Sequence, residues 1–456
     1  MSTSDYKQDA LKAKEKLAEV SPTMCLAKWN QTSLHLPTGL TNSCYHPPLH
    51  EMDAEAVKLN PAALHNTAEK MNQRQQMLQG EQPAGCSYCW NMEKTGEISD
   101  RHYRSGEPWA MQDFEDIRKN PIDEHWTPRY VEVNFNNACN LKCSYCSPQF
   151  STTWGKEIDR YGQYPTSPPH NAPEHFQGRR KPIPNREDNP YVTAFWKWWP
   201  TLYKNLKHFR MTGGEPMMDK NTYKVLQYII DNPKKDLHLN VTSNMCPADK
   251  KLKDKYFNMA KHICMEEKVE HLMQFVSVDA WGKQAEYIRN GLDFNYMMDN
   301  VEEFLERIPV RNSITFICTY NNLSITSMDK LLEKILELRT KYSKTYQRVW
   351  FDVPLLRQPA WQQITLLPES YQGIHEENIK YMQANSGEEN GLHIFKDFEI
   401  QKMQRNLAHW RENADASTQN KKNFYAFFNE HDRRRLTRFL NTFPEMEEFW
   451  EECKNA

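Results

Sequence analysis

The chain has 456 residues, a formal net charge of −2 at pH 7 and 11 cysteines. This length allows more than one domain and a substantial core, and the near-neutral charge gives no reason to expect a nucleic-acid partner or a membrane surface. The polar N-terminal sequence lacks the apolar segment of a signal peptide. No apolar run approaches the ~20 residues that span a bilayer. We therefore expect a cytoplasmic protein, in which cysteines are more often metal ligands, core residues or catalytic thiols than disulfides.

Four segments follow one another along the chain. They are an N-terminal helix or tail (1–23), a cysteine-rich block (24–127), a stretch of alternating strands and helices (128–356) and a mainly helical extension (357–456). Alternating strands and helices favour a parallel sheet with right-handed crossovers. Six such units predict an α/β fold, a partial (β/α)6 barrel like an incomplete TIM barrel.

The strands of this barrel are predicted from short apolar or alternating runs. The candidates are 130–135, 207–212, 237–242, 273–279, 312–319 and 348–355. Helical patterns lie between most of them, for example at Asn221–Asp231 and Asp329–Lys341. The segment 150–190 is rich in Pro, His, Gly and Arg. This composition predicts a long insertion loop that becomes ordered on binding or forms a surface for a partner. The basic triplet Arg433–Arg435 is interpreted as a solvated helix face.

Three cysteines follow the first predicted barrel strand. Cys139, Cys143 and Cys146 form the motif C-x3-C-x2-C on a loop at the C-terminal end of the strand, where barrels place their active sites. Three thiolates on one loop can bind a 4Fe–4S cluster and leave one iron open for a non-protein ligand. The spacing alone also allows a zinc loop with a distant fourth ligand or a cluster used only for electron transfer.

A second motif follows the next predicted strand, in the run Thr212-Gly213-Gly214-Glu215-Pro216. Two glycines let the backbone approach a ligand without obstruction by a Cβ atom. The carboxylate of Glu215 can accept hydrogen bonds from a cationic amine. Taken alone, the motif also fits a turn that simply requires two glycines.

Together the cysteine motif, with the aromatic Tyr145 before its last cysteine, and the glycine–glutamate turn resemble the radical S-adenosylmethionine (SAM) superfamily. The resemblance covers roughly 128–356. It implies that the three cysteines hold a 4Fe–4S cluster whose open iron binds the amine and carboxylate of SAM. It also implies that Gly213, Gly214 and Glu215 hold the SAM amine. Reductive cleavage of SAM would give a 5′-deoxyadenosyl radical that abstracts hydrogen from a substrate.

The resemblance extends to polar residues at later strand ends. It implies that Tyr145, Ser243, Asn244 and Ser277 contact SAM and that Arg289 pairs with its carboxylate. A guanidinium suits a carboxylate because its fork can donate two hydrogen bonds. Asp279 is a candidate base, or a contact to ribose or substrate.

Four upstream cysteines form a separate set. Cys25 and Cys44 enclose Gly39 in the pattern C-x13-G-x4-C, and Cys86 and Cys89 form a C-x2-C pair. Spacing alone favours a structural zinc site. The pattern also resembles the twitch and SPASM auxiliary-cluster domains of radical SAM enzymes, as does the run Ser151–Trp154 after the cluster loop. Here the block precedes the barrel and holds fewer cysteines than a SPASM domain, so the resemblance implies one twitch-like auxiliary 4Fe–4S cluster bound by four cysteines.

An auxiliary cluster with four protein ligands favours a redox role, hence an oxidoreductase that dehydrogenates or cross-links a peptide or a small polar substrate. The electron donor would be a flavodoxin or ferredoxin. Two alternatives stay open. One is an epimerase in which Cys246 or Cys318, near the predicted barrel mouth, returns a hydrogen atom. The other is a non-catalytic interaction protein stabilised by zinc or a cluster.

Overall fold

A computed structural model describes residues 3–176, 181–387 and 391–456. The predicted N-terminal segment, insertion loop and C-terminal extension therefore include residues outside the described part, at 1–2, 177–180 and 388–390. Across the described ranges, no helix is both long enough and apolar enough to cross a membrane.

The protein is a mixed α/β structure. Its strands are β1 Gln31–His35, β2 Leu40–Asn42, β3 His50–Glu51, β4 Tyr130–Asn134, β5 Lys142–Cys143, β6 His208–Thr212, β7 Lys234–Ser243, β8 Val269–Ser277, β9 Arg289–Asn290, β10 Asn312–Ile317 and β11 Val349–Asp352. Its helices are α1 Thr3–Ala18, α2 Ala27–Asn30, α3 Ala54–Leu59, α4 Ala68–Leu78, α5 Ser87–Lys94, α6 Asp100–Gly106, α7 Pro108–Met111, α8 Phe114–Lys119, α9 Thr152–Tyr161, α10 Pro190–Asn205, α11 Lys220–Asp231, α12 Lys250–Met265, α13 Gly282–Ile288, α14 Phe294–Arg307, α15 Met328–Tyr342, α16 Gln372–Ala384, α17 Asp397–Glu412, α18 Thr418–Arg435, α19 Phe439–Thr442 and α20 Glu447–Lys454.

The chain divides into two compact units. The first comprises Met1–Asn136, Lys181–Gly213 and Lys234–Asn240. Its central strands β1, β4 and β6 are parallel, and β2 and β3 extend the sheet antiparallel beside β1. Buried aromatic residues of α10 pack on β6, with the rings of Trp199 and Phe209 4.9 Å apart.

The second unit comprises Asn137–Arg180, Gly214–Pro233 and Val241–Ala456. Strands β8, β10 and β11 are parallel neighbours, and Ser277 at the end of β8 lies beside Ile317 at the end of β10. Helices α12, α14 and α15 are amphipathic and bury one apolar face each. The short strands β5 and β9 pair antiparallel and place Cys143 opposite Arg289.

All six strands predicted for the barrel are present, with ends shifted by up to four residues. The sheets are mainly parallel, as predicted. The partial-barrel arrangement and the four domain boundaries stay predictions. Strands β1–β3 were not expected. Their signal is weak because β1, Gln-Thr-Ser-Leu-His, buries mostly polar side chains and shows no apolar alternation.

Part of the predicted insertion loop is regular structure, since α9 and the start of α10 lie within 150–190. Residues 164–167, which follow α9, pack on α18. The ring of Tyr164 stacks on Phe427 with centroids 4.4 Å apart, and Ser167 and Asn423 exchange two hydrogen bonds of 2.8 and 2.9 Å.

The interpretation of Arg433–Arg435 as a solvated face is wrong for two of the three residues. The side chain of Arg433 is 61% exposed, whereas those of Arg434 and Arg435 are each 1% exposed. Arg434 donates to the carbonyls of Gly162 and Gln163, both at 2.9 Å. The last two arginines of α18 are therefore buried within the second unit, and only Arg433 faces solvent.

Candidate active site

The loop that carries Cys139, Cys143 and Cys146 is held by the first turn of α9. Ser151 caps that helix by accepting from the amide of Trp154, and its hydroxyl also donates to the Leu141 carbonyl at 2.7 Å. The indole N–H of Trp154 donates to the Cys143 carbonyl at 2.9 Å. The Ser-Thr-Thr-Trp run thus fixes the backbone of the loop.

The three thiols are partly buried and, within the described residues, form no disulfide. Burial raises the pKa of each, that of Cys146 to about 12, and the charge of Cys143 adds to the effect at the other two. Thiols of this kind stay protonated until a metal displaces the proton. Three such sulfurs on one short loop are a donor set suited to an iron–sulfur cluster.

The glycine–glutamate turn is attached directly to this loop. The amide of Glu215 donates to the Ala138 carbonyl at 2.6 Å, one residue before Cys139. A Cβ atom on Gly214 would lie 2.2 Å from that carbonyl oxygen, so only glycine permits the approach. In the first unit, Gly213 has φ +118°, and a Cβ atom on it would lie 2.1 Å from Asn134 Oδ1. Both glycines therefore have a steric reason in the structure.

The carboxylate of Glu215 is buried among neutral donors. It is 1% exposed and accepts from the Ser243 hydroxyl at 2.7 Å, the Asn244 amide at 2.8 Å and the Met217 amide at 3.1 Å. Burial raises its pKa, and these hydrogen bonds oppose the rise. Within the described residues it forms no ion pair. A buried carboxylate without a cation is costly, so the arrangement suits a bound ammonium group.

A second buried carboxylate, Asp279, is fully engaged by protein groups. It accepts from the Tyr145 hydroxyl at 2.7 Å, from Arg289 Nη2 at 2.9 Å and from the Thr319 amide at 2.9 Å. Burial by itself lowers the pKa of Arg289, but the Asp279 carboxylate outweighs it and raises that pKa well above its ordinary value. Arg289 Nη1 also lies 3.6 Å from Cys143 Sγ. Here Arg289 and Asp279 brace the cysteine loop, and their predicted contacts to SAM or substrate stay predictions.

The remaining predicted residues of this site lie around the two carboxylates. Asn244 donates to the Asn140 side chain at 3.0 Å and accepts from the Cys246 amide at 2.8 Å. Cys246 is 5% exposed, and Cys318 is fully buried with its thiol 3.3 Å from the Asp279 carbonyl. Burial raises the pKa of both thiols. Ser277 ends β8, and its proposed cofactor contact stays a prediction.

The four upstream cysteines come together in the first unit. Cys25, Cys44, Cys86 and Cys89 all line one pocket. None of the four is joined in a disulfide to another described residue. Gly39 adopts φ +66° in the turn between β1 and β2, which returns the chain toward Cys44. Residues far apart in sequence thus provide four sulfur donors to one space.

Two lysines are buried in the unit that holds this pocket. Lys28 lines it, is 2% exposed and donates to the Gln73 side chain at 2.6 Å. Lys70 is fully buried and donates to the hydroxyls of Thr32 and Thr41 at 2.7 and 3.2 Å. Burial lowers the pKa of Lys70 well below its ordinary value, and the Cys44 thiolate would oppose that shift. In the described part of the chain, neither lysine forms an ion pair, so four thiolates would supply the missing negative charge.

Sequence reasoning missed these lysines and the buried end of α18. A lysine is seldom fully buried, and nothing in the letters around Lys28 or Lys70 distinguishes them from surface lysines. The role of Ser151 and Trp154 could be anticipated only from the resemblance. A Ser followed three residues later by Trp indicates simply a helix start.

Among the described residues, no three His, Cys, Asp or Glu side chains lie close enough together to hold a single metal ion. The ligands of a 4Fe–4S cluster are spaced more widely, because each thiolate binds a different iron.

No protein-family model matches the chain, and no curated protein matches its sequence. Among solved structures, SuiB of Streptococcus suis is similar over 83% of this chain and 72% of its own, with 13% identity and a TM-score of 0.38. Polyhistidine-tagged anSMEcpe with bound AdoMet is similar over 55% of each chain, with 13% identity and a TM-score of 0.32. Likenesses of this strength do not establish a family.

Proposed function

We propose that this protein is a radical SAM enzyme. Cys139, Cys143 and Cys146 would hold a 4Fe–4S cluster, and Glu215 would accept the amine of SAM. The observation that carries the proposal is the carboxylate of Glu215, which is buried without a cation from the described residues on a turn hydrogen-bonded to the residue before Cys139. A cationic amine is the group this position lacks.

When bound, such a cluster supplies the electron that cleaves SAM to methionine and a 5′-deoxyadenosyl radical, which abstracts hydrogen from the substrate. The chain's own residues prepare the site. Ser243 and the Asn244 amide hold the Glu215 carboxylate in place. Asp279 and Tyr145 fix the Arg289 guanidinium beside Cys143. Fixed groups of this kind orient ligands at little cost when they bind.

A twitch-like auxiliary 4Fe–4S cluster bound by Cys25, Cys44, Cys86 and Cys89 belongs to the same proposal. Its support is the shared pocket and the buried lysines Lys28 and Lys70, which form no ion pair with a described carboxylate. A cluster with four thiolate ligands is anionic, so it would favour the charged form of Lys70. With four protein ligands it is suited to accept an electron, which favours a net oxidation of a peptide or small polar substrate. A cytoplasmic flavodoxin or ferredoxin would supply the first electron.

The test is SAM cleavage by anaerobically reconstituted protein. With dithionite as reductant, we expect methionine and 5′-deoxyadenosine to form in equal amounts, even without substrate. The Cys139→Ala/Cys143→Ala/Cys146→Ala variant is the matched control and should form neither. Formation of neither product by wild-type protein that binds iron and sulfide would contradict the proposal.

A further inference from the structure

Arg435 is a buried cation whose donors are largely unused. It is the last residue of α18, and its side chain is 1% exposed. Its Nη2 lies 3.5 Å from Glu157 Oε1, but Nε and Nη1 have no hydrogen-bond partner among the residues that the structure describes. Burying a guanidinium with unpaired donors is expensive, so the position calls for a compensating negative charge nearby.

The guanidinium of Arg435 packs on Trp154, which contacts the cysteine loop. Its central carbon is 5.1 Å from the centre of the Trp154 ring, and the indole of Trp154 donates to the Cys143 carbonyl at 2.9 Å. Glu157 and Trp154 both belong to α9, the helix that follows the loop. Trp154 is therefore the side chain that links Arg435 to the backbone of Cys143.

The local charges do not cancel. Glu157 Oε2 binds Lys142 at 2.6 Å, and Glu157 Oε1 is shared with Arg435 at 3.5 Å. Arg434 lies 2.6 Å from Glu430, which it shares with Arg433, and 3.9 Å from Glu157. One carboxylate thus faces Lys142 and Arg435, which leaves a net positive charge beside the loop.

We infer that Arg435 is a positioning residue that makes the cluster at Cys139, Cys143 and Cys146 easier to reduce. The inference rests on the proposed function. Reduction adds one electron from an external donor of the flavodoxin type and transfers no proton, so the site gains one negative charge. A fixed buried cation stabilises that more negative state and raises the reduction potential. The C-terminal extension would in this way contribute to the first electron transfer.

The experiment is a potentiometric titration followed by electron paramagnetic resonance. Only the cluster with an open iron responds to SAM, so the titrated signal is the one that SAM addition changes. For Arg435→Gln we expect the reduced-to-oxidised ratio at a fixed potential to fall about tenfold, which corresponds to about 59 mV for one electron. Arg435→Lys keeps the charge and should lie close to wild type. The matched control is Arg433→Gln, which removes the same charge from a side chain 61% exposed on the same helix.

A second variant keeps the inference testable if Arg435→Gln does not fold. Glu157→Gln removes the counter-charge and should shift the potential in the opposite direction, toward easier reduction. The inference is overturned if Arg435→Gln has the same midpoint potential as wild type. It is also overturned if the midpoint potential of Glu157→Gln equals that of wild type or lies below it. Neither result affects the proposed function. If wild-type protein shows no SAM-responsive signal, the proposed function fails and the inference fails with it.

Discussion

Glu215 differs from Asp279, another buried carboxylate of its unit, because it has no cationic partner among the described residues. Asp279 is neutralised by Arg289, 2.8 Å away at Nε. Within the described residues, Glu215 accepts only from a hydroxyl and two backbone amides. Both carboxylates lie near the same cysteine loop, so the difference separates a residue that braces the loop from one prepared to bind a cation.

We expect Glu215→Gln to weaken SAM binding about tenfold or more, because a charged hydrogen bond to a buried partner contributes about 1.5–3 kcal/mol. Iron content should not change, since Glu215 is not a cluster ligand. Equilibrium binding of SAM to the reconstituted protein measures the effect. Ser243→Ala, which removes one supporting hydroxyl, should cost less. Equal binding by wild type and Glu215→Gln would show that the amine lies elsewhere.

Glu157 predicts a pH dependence of stability. Burial alone would raise its pKa, but Arg435 and Lys142 outweigh burial and lower it from 4.5 to about 2. A depressed pKa in the folded state means that the stabilisation is complete above about pH 4.5 and is lost as the pH falls toward 2. The Tm difference between wild type and Glu157→Gln should therefore be largest at neutral pH and shrink on acidification.

The control is Glu55→Gln, since Glu55 is 78% exposed and forms a surface pair with Lys58 on its own helix. Such surface pairs contribute little, so this variant should follow the wild type at every pH. A Glu157→Gln difference that does not depend on pH would contradict the charge assignment around α9.

At the residue scale, the sequence predicted the grouping of the cysteines better than it predicted the hydrogen-bond partners of individual side chains. The seven cysteines of the two motifs and Glu215 were identified from spacing and resemblance, and the structure places them in two groups. The partner of Arg289 was not foreseen, because Asp279 lies ten residues earlier and no local pattern links the two residues. Pairings that depend on tertiary structure leave no local signal.

At the scale of elements, α18 and the segment after α9 form one packed assembly. Arg434 joins them through the carbonyls of Gly162 and Gln163, and its guanidinium carbon lies 4.0 Å from the centre of the Tyr164 ring. The sequence predicted α18 as a helix but not its buried end, because three consecutive arginines indicate a surface until the packing partner is known.

Arg434→Ala should destabilise this assembly by about 1–3 kcal/mol, because it leaves the carbonyls of Gly162 and Gln163 without their buried donor, while Glu430 keeps its pair with Arg433. Thermal denaturation and limited proteolysis of the segment 161–176 measure the loss. Arg433→Ala, on the same turn but exposed, should change stability by less than about 1 kcal/mol. Similar effects of the two variants would mean that Arg434 contributes little to holding the segment.

At the scale of the whole molecule, each compact unit carries its own set of thiols. The first holds the four-cysteine pocket and the second holds the three-cysteine loop. The strand pattern predicted most of the parallel sheet, whereas the short polar strands of the first unit could not be recognised. The buried hydroxyls of Thr32 in β1 and Thr41 in β2 accept from Lys70, so these strands lack an apolar alternation.

Because the two sets of cysteines are separate, we expect that removing one set removes the iron of one cluster only. Wild-type protein should bind about eight iron atoms and Cys86→Ala/Cys89→Ala about four, because each cluster contains four. The double variant should keep the SAM-responsive signal, since the three-cysteine loop is untouched. Iron analysis with spectroscopy of the same sample gives the result. About four iron atoms in wild type would remove the auxiliary cluster from the proposal.

The central claim is that SAM binds the open iron of a cluster held by Cys139, Cys143 and Cys146, with Glu215 on its amine. Electron–nuclear double resonance of reduced protein with SAM isotopically labelled at its carboxylate and amine tests it most directly. The account predicts hyperfine coupling of both labelled groups to the cluster in wild type and none in the triple alanine variant of the loop. A reduced cluster at the loop that shows no coupling to bound SAM would contradict it.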